Sequence, residues 1–202
     1  SPNPFQPRLH FDEDSLRELA DSIRENGVLQ PILVRRRGPD QYELIVGERR
    51  LRASRMAGLT TIPAIVRECS DRDMLLVALI ENVQREDVNP VEQAHAYSRM
   101  QEEFGLTQED IARRVGRSRS AIANTLRLLA LPEPALDALQ AGRITEGHAR
   151  LLVTLEPEMQ ANALEAFLAR QMSVREAEAF VKSLRRGEAS APLRATDPTP
   201  RD

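Results

Sequence analysis

Apolar residues recur along this chain in two rhythms, and the change of rhythm divides it. Leu16, Leu19, Ala20 and Ile23 fall at helical spacing, with Asp12 or Asp14 placed to cap that helix and Asn26-Gly27 to stop it. The runs Pro31–Val34 and Tyr42–Val46, around the turn Gly38-Pro39-Asp40, predict strands, and Ile62–Val66 predicts a third. Gly47 breaks the second strand, and residues 48–57 read as a short helix ending at Gly58. Asp71 opens a mostly apolar helix, Met74 to Val83. Pro2, Pro4 and Pro7 exclude a helix over residues 1–11. The alternation of strand and helix predicts a small α/β unit.

Beyond it every pattern is helical. Asn89-Pro90 is a cap followed by proline at the first helical position, and this helix is expected to run to Phe104-Gly105. Thr107 with Asp110 three residues on reads as a capping box; Gly116 breaks that helix and Ser118 starts the next. Pro132 and Pro134 precede helices near 134–141, 145–154, 157–170 and 173–186, the last with Ser173 and Glu176 as its capping box. From Gly187 onward the residues are rich in Pro, Ala, Ser and Thr without apolar period, as in a disordered linker or tail. The expected architecture is α+β: an α/β domain over 1–88, an all-α domain over 89–186 with a helix-turn-helix at 107–130, and a tail over 187–202.

Composition narrows the class. Aromatics are 3% of the 202 residues, there is no Trp, and no apolar run is long enough to span a bilayer. The single cysteine, Cys69, can form no internal disulfide, and no Cys/His group has zinc spacing, so a reducing cytoplasm is expected. The abrupt start, Ser1-Pro2-Asn3-Pro4, reads as a truncated end. The net charge of −3 argues against a uniformly basic nucleic-acid surface, but its distribution does not. Between Ile111 and Leu128 lie five arginines (113, 114, 117, 119, 127) and no acid; from Arg35 to Arg55 lie seven arginines against Asp40, Glu43 and Glu48. Two basic patches on an acidic body suggest two anionic ligands.

The first patch to carry chemistry is the helix-turn-helix. Ile111, Ala112, Val115, Ile122 and Leu126 supply the apolar seam, with Ala112 small where two helices cross and Gly116 available for positive φ. The second helix would present Arg117, Ser118, Arg119, Ser120, Ala121, Asn124 and Arg127 outward. Arg pairs bidentately with guanine and Asn with adenine, while Ser hydroxyls and a helix N-terminus suit phosphates. Gly147-His148-Ala149-Arg150 could add a phosphate clamp through His148 and Arg150, although a capping role at a helix start fits the same tetrapeptide.

The second is Gly47-Glu48-Arg49-Arg50, which follows a strand and opens a helix: a place where backbone N–H groups and two guanidinium charges can meet a di- or triphosphate. A solvated surface helix fits it as well. Glu81-Asn82, with Arg85 beyond, offers oxygens for Mg²⁺ and a charge for phosphate; ordinary helix-end polar residues are the alternative.

Taken together, Asn3-Pro4-Phe5-Gln6-Pro7-Arg8, Gly27-Val28-Leu29-Gln30-Pro31, Gly47–Ala53, Ala57-Gly58-Leu59, Ile62–Arg67, Glu81–Asp87 and Gly116–Ser120 occur in one order, and in that order the chain resembles the ParB/Spo0J/Noc family of chromosome-segregation proteins over about residues 3–186. The resemblance implies a cytoplasmic, nucleoid-associated CTPase that binds palindromic parS DNA as a dimer. CTP and Mg²⁺ then engage the N-terminal domains into a sliding clamp, and slow, DNA-stimulated hydrolysis reopens it. It implies that Gly47, Glu48, Arg49 and Arg50 cradle the triphosphate, that Arg8, Gln6 and Arg85 lie near the phosphates, that Glu81 and Asn82 hold Mg²⁺, and that Gln6 and Glu48 assist hydrolysis. Ser118, Arg119 and Asn124, helped by His148 and Arg150, would contact DNA. A ParA-type ATPase and an SMC/condensin complex are the implied partners of the full-length protein. The family's basic N-terminal peptide, its gate segment before Asn3 and its C-terminal dimerisation domain are expected to lie outside these residues, and no membrane contact is expected of them. A nucleoid-occlusion paralogue, or a plain transcriptional regulator without CTPase activity, would share the helix-turn-helix. A phosphotransferase related to a serine kinase or to sulfiredoxin would not need it.

Overall fold

The computed structural model describes residues 13–85 and 88–186. They fall into two compact units that divide between Asn82 and Val83.

In the first unit α1 (Glu13–Asn26) lays its apolar stripe, Leu16, Ala20 and Ile23, against Ala53 of α2 (Glu48–Met56), with Leu19, Val28 and Ala57 closing the cluster. A three-stranded sheet has the order β2-β1-β3. The strand β1 (Ile32–Arg36) pairs antiparallel with β2 (Tyr42–Val46) and parallel with β3 (Ala64–Val66), with a register shift between Leu33 and Val34. Ile32, Val34 and Leu44 form the sheet's apolar core, joined by Leu51 and Ile62. In β3 all three residues are exposed, and Ile65 and Val66 are each 55% exposed. The apolar run that predicted this strand therefore reports pairing, not burial. Next comes α3 (Asp71–Val83); its cap is Ser70, whose hydroxyl accepts from the Asp73 N–H while the Asp73 carboxylate accepts from Ser70. Asp71 starts the helix, as expected, with Ser70 as its cap.

Arginine burial corrects the expected basic patch at 35–55. Arg35 is 3% exposed, and its register partner across the strands is Glu43. Its guanidinium donates to Glu43 Oε2 (2.7 Å from Nε), to Asp71 and to the Cys69 carbonyl (3.0 Å). Arg37 donates to the same Glu43 and Asp71 carboxylates at 2.9 and 2.8 Å. Burial pushes Glu43 up, but the hydrogen bonds and charges of Arg35 and Arg37 outweigh it and hold the carboxyl below its ordinary value. A charge removed from water must find its counter-charge nearby, so Arg35 serves the fold, and exposed Arg37 adds a second donor to the same carboxylates.

The second unit is helical: α4 (Pro90–Glu102), α5 (Gln108–Val115), α6 (Arg119–Arg127), a 3₁₀ turn (Leu128–Ala130), α7 (Glu133–Gln140), α8 (Glu146–Leu152), α9 (Pro157–Ala169) and α10 (Val174–Arg185). Local chemistry starts several of them. Asn89 caps α4 by accepting from the Val91 N–H at 2.8 Å, and Ser173 and Glu176 cap α10 reciprocally. The core runs from Leu128 and Leu131 through Leu139, Ile144 and Leu152 to Phe167 and Val181. No described helix is long and apolar enough to cross a membrane.

Candidate functional site

Two places in the described residues offer anion-binding chemistry, one in each unit. In the helical unit Thr107 and Asp110 start α5: the Thr107 hydroxyl accepts from the Asp110 N–H at 3.1 Å, and the Asp110 carboxylate accepts from the Thr107 hydroxyl and N–H at 2.6 and 3.2 Å. Those hydrogen bonds hold the Asp110 carboxyl below its ordinary value. Gly116 ends α5 with φ 71°, and the Arg117 N–H closes the turn on the Ala112 carbonyl at 3.0 Å. Ser118 caps α6, accepting from the Ala121 N–H at 3.1 Å. Ile111, Ala112, Val115 and Ile122 are buried as the seam between the two helices.

This packing fixes which side chains α6 presents. Arg117, Ser118, Arg119, Ser120 and Arg127 are exposed, Ala121 and Asn124 are half-buried, and Thr125 is buried. Among the described residues Arg117, Arg119 and Arg127 make no ion pair, while Arg113 is taken by Asp110 at 2.5 Å. The guanidiniums of Arg117 and Arg119 and the Ser hydroxyls gather at the positive N-terminal end of a short helix, a surface suited to phosphate and base edges, and Arg127 stands at the helix's other end.

His148 belongs elsewhere. It is buried, its Nδ1 accepts from the Thr145 N–H at 3.2 Å, and its Nε2 lies 2.9 Å from the Met172 carbonyl. An Nδ1 that accepts leaves the neutral ring's proton on Nε2, which donates to that carbonyl. The Thr145 hydroxyl adds a contact at 2.9 Å, and Phe167 lies beside the ring at 5.6 Å. The imidazole thus ties the start of α8 to the loop before α10; the surface phosphate clamp read from its tetrapeptide is not how the ring is used. Arg150 is exposed, with only a loose approach to Glu146 at 3.9 Å.

In the α/β unit Gly47 caps α2 with φ 115°, and a Cβ there would sit 2.8 Å from Ile32 Cγ2, so both conformation and space demand glycine. Gly47 has no side chain to cap α2, so at that position the first N–H groups are left to another partner, and an anion suits them. The two arginines behind it are engaged with the protein. Arg49 donates to the Ser15 hydroxyl at 2.7 Å, and Arg50 to the Gln30 and Pro31 carbonyls at 3.0 and 2.5 Å. Glu48 is 6% exposed; its Oε1 accepts from Arg52 at 2.6 Å, and its Oε2 has no hydrogen-bond partner among the described residues. The pair Glu48–Arg52 was open to the sequence as an i,i+4 spacing; the partners Ser15, Gln30 and Pro31 carried no signal there.

Glu81, exposed, and Asn82, half-buried, occupy the last turn of α3, and half-buried Arg85 follows it. The helix α2, which Gly47 opens, packs chiefly on α1. Among the described residues no group of three or more His, Cys, Asp or Glu is arranged to hold a metal. Gln6 and Arg8 lie outside the described residues.

Comparison with known proteins places both units. Residues 1–83 match the ParB N-terminal domain and residues 86–186 the ParB HTH domain. The chain is 56% identical over 199 residues to the chromosome-partitioning protein Spo0J of Thermus thermophilus, covering 98% of this chain and 72% of that one. It is 50% identical over 177 residues to a probable chromosome-partitioning protein ParB of Neisseria meningitidis, covering 88% of this chain and 62% of that one. It therefore spans between three-fifths and three-quarters of the length of these relatives. Among solved structures it is similar to a C-terminally truncated chromosome-partitioning ParB from Caulobacter crescentus complexed to the centromeric parS site, with a TM-score of 0.78 and 43% identity, covering 91% of this chain and 95% of that one. It is also similar to a ParB DNA-binding domain complexed to parS, with a TM-score of 0.50 and 38% identity, covering 62% of this chain and 97% of that one.

Proposed function

The chain belongs to the ParB family, and on that premise we propose that it is a chromosome-partitioning protein that binds centromere-like parS DNA through α6 and binds CTP at the Gly47 turn. The observation that carries the DNA half is the exposed face of Arg117, Ser118, Arg119 and Ser120, whose guanidiniums are unpaired among the described residues. Arg119 and Asn124 read base edges, Arg117, Arg127 and the Ser hydroxyls hold phosphates, and Arg150 adds a phosphate contact. The complexes of the two Caulobacter and DNA-binding-domain relatives with parS support this assignment.

For the nucleotide half, the open N–H groups after Gly47 receive phosphate oxygens, with Arg49, Arg50, Arg85 and, by its motif, Arg8 adding charge. Glu81 and Asn82 fit Mg²⁺ in donor chemistry: one carboxylate and one amide oxygen suit a hard cation that takes its other ligands from phosphate and water. Bound there, the cation would neutralise phosphate charge. The unpartnered Oε2 of Glu48 fits a group that orients a water, with Gln6 beside it by motif. Nucleotide binding then favours engagement of two N-terminal domains, so that a dimer closes on DNA as a clamp, and slow hydrolysis reopens it. A ParA-type ATPase and an SMC complex are the partners this reading assigns to the whole protein.

A CTP-turnover assay with and without a parS duplex tests the proposal. Turnover raised by the duplex is the expected result. No CTP binding at millimolar Mg²⁺, with or without the duplex, leaves a plain DNA-binding regulator as the remaining reading.

A further inference from the structure

Arg49 and Arg50 are tied down differently from their neighbours in the α/β unit. Arg35, Arg37 and Arg52 each hold a carboxylate. Arg49 and Arg50 are half-buried, yet among the described residues they hold only neutral oxygens. Arg49 donates to the hydroxyl and carbonyl of Ser15 at 2.7 and 3.3 Å, and Arg50 to the carbonyls of Gln30 and Pro31 at 3.0 and 2.5 Å. A cation partly withdrawn from water without a counter-charge favours an anionic oxygen, whose hydrogen bond to a guanidinium is about twice as strong as a neutral one.

What these bonds hold is α1. Ser15 lies in its first turn, and Gln30 and Pro31 lie just past its end at Asn26. Two adjacent residues at the start of α2 thus fasten both flanks of one helix. The other ties between the two helices fall on the later part of α2: Leu16, Ala20 and Ile23 pack on Ala53, and Arg24 donates to the Met56 carbonyl at 3.2 Å. Leu29, beside Gln30, is 83% exposed, so apolar packing does not hold that end of the loop.

We propose that Arg49 and Arg50 form a latch on α1 that nucleotide at the Gly47 turn releases. Phosphate oxygens take Arg49 from Ser15 and Arg50 from Gln30 and Pro31, which frees the start of α1 and residues 27–31 while the apolar contacts keep the helix docked. The bonds to Ser15 and to the two carbonyls are then autoinhibitory, and Ser15 sets nucleotide affinity without touching nucleotide. The latch rests on the nucleotide site proposed above. Linkage makes the coupling reciprocal: a chain whose α1 is already unfastened binds the nucleotide more tightly.

The test is Ser15→Ala, with Ser15→Thr as the variant that keeps the hydroxyl, read by thermal melting without nucleotide and by CTP titration with Mg²⁺. Ser15→Ala should lower the melting temperature and yet tighten CTP binding about three- to tenfold, the range of one intramolecular hydrogen bond. Ser15→Thr should return both toward wild type. Hydrogen exchange of the wild-type chain should speed up in the first turn of α1 and in residues 27–31 when CTP saturates it. Unchanged or weakened CTP binding by Ser15→Ala, or slower exchange in both segments, would overturn the inference, because Ser15 would then be aiming Arg49 at the ligand and not withholding it. The underlying site is tested separately. A wild-type chain that binds no CTP, or an Arg50→Ala chain that binds it undiminished, sinks the Gly47 site; a wild type that binds and a Ser15→Ala chain that gains nothing sink the latch alone.

Discussion

The two units treat the arginines of their candidate sites in opposite ways. In the α/β unit Arg35 and Arg37 converge on Glu43 and Asp71, Arg49 and Arg50 reach across to Ser15, Gln30 and Pro31, and Arg52 holds Glu48. In the helical unit the apolar cluster around Leu152 and Phe167 carries the packing, and Arg117, Arg119 and Arg127 stay unpaired at the surface among the described residues. A unit with a thin sheet and an exposed edge strand leans on polar cross-ties; a unit with a contiguous apolar core can leave its cations to a ligand. The consequence is functional. The proposed DNA face would be preformed, whereas an anion at the Gly47 turn would have to share Arg49 and Arg50 with the protein groups they already hold.

The largest effect that would sharpen this contrast is Arg35→Ala. It strands Glu43, which is 8% exposed, without its main partner, and breaking a buried pair costs about 3–5 kcal/mol. Denaturant unfolding should show the loss in the α/β unit, with parS affinity retained; an effect under 1 kcal/mol would break the comparison. Next, Arg50→Ala removes a charged donor from two carbonyls and from the anion site, and should cost about 1.5–3 kcal/mol of nucleotide binding with little change in DNA affinity. Equal losses of both would count against separate sites. Arg119→Ala should cost about 1–3 kcal/mol of specific DNA binding if it reads a base, with nucleotide binding intact. A salt titration separates the alternatives, since a lost phosphate contact lowers the salt slope.

The smallest effect is in pH. Glu43 and Asp71 are both held below their ordinary carboxyl values, Glu43 despite the opposing pull of burial and Asp71 chiefly by its hydrogen bond from Arg35. Depressed carboxyl values mean stability that is present above the ordinary range and lost as pH falls through the depressed values. Acid unfolding of the α/β unit should therefore begin below the Glu43 reference value of 4.5, and Glu43→Gln should flatten that loss without abolishing it, because Asp71 remains. An unchanged slope would show that the cross-strand tie is not what acid breaks.

Most of the fold was open to inspection in the chain. The helix starts at Asn89, Thr107, Ser118 and Ser173 stand where their residue types placed them, and Gly116 takes the positive φ expected of it. The strand at 62–66 shortened to Ala64–Val66, and α4 stopped at Glu102, two residues before Phe104. The recognition face was legible because a helix-turn-helix is a local motif whose seam and exposed side follow from spacing alone. The second site was legible only as a turn. Gly47 and its open helix start could be read from sequence, but whether Arg49 and Arg50 were free could not.

What the sequence determined by itself, then, is whatever is settled within about a turn of helix: caps, breaks, the apolar stripe and the exposed face of α6. What only the tertiary structure decided are partnerships between distant residues. Arg35 meets Asp71 across 36 positions, Arg49 meets Ser15 across 34, and His148 meets Met172 across 24. A cation or an imidazole bonds to whatever donor or acceptor packing brings within about 3 Å, and that neighbour is chosen by the burial of apolar surface elsewhere in the unit. The same arginine residue type therefore stands unpaired at the surface of one unit, among the described residues, and is a structural tie in the other.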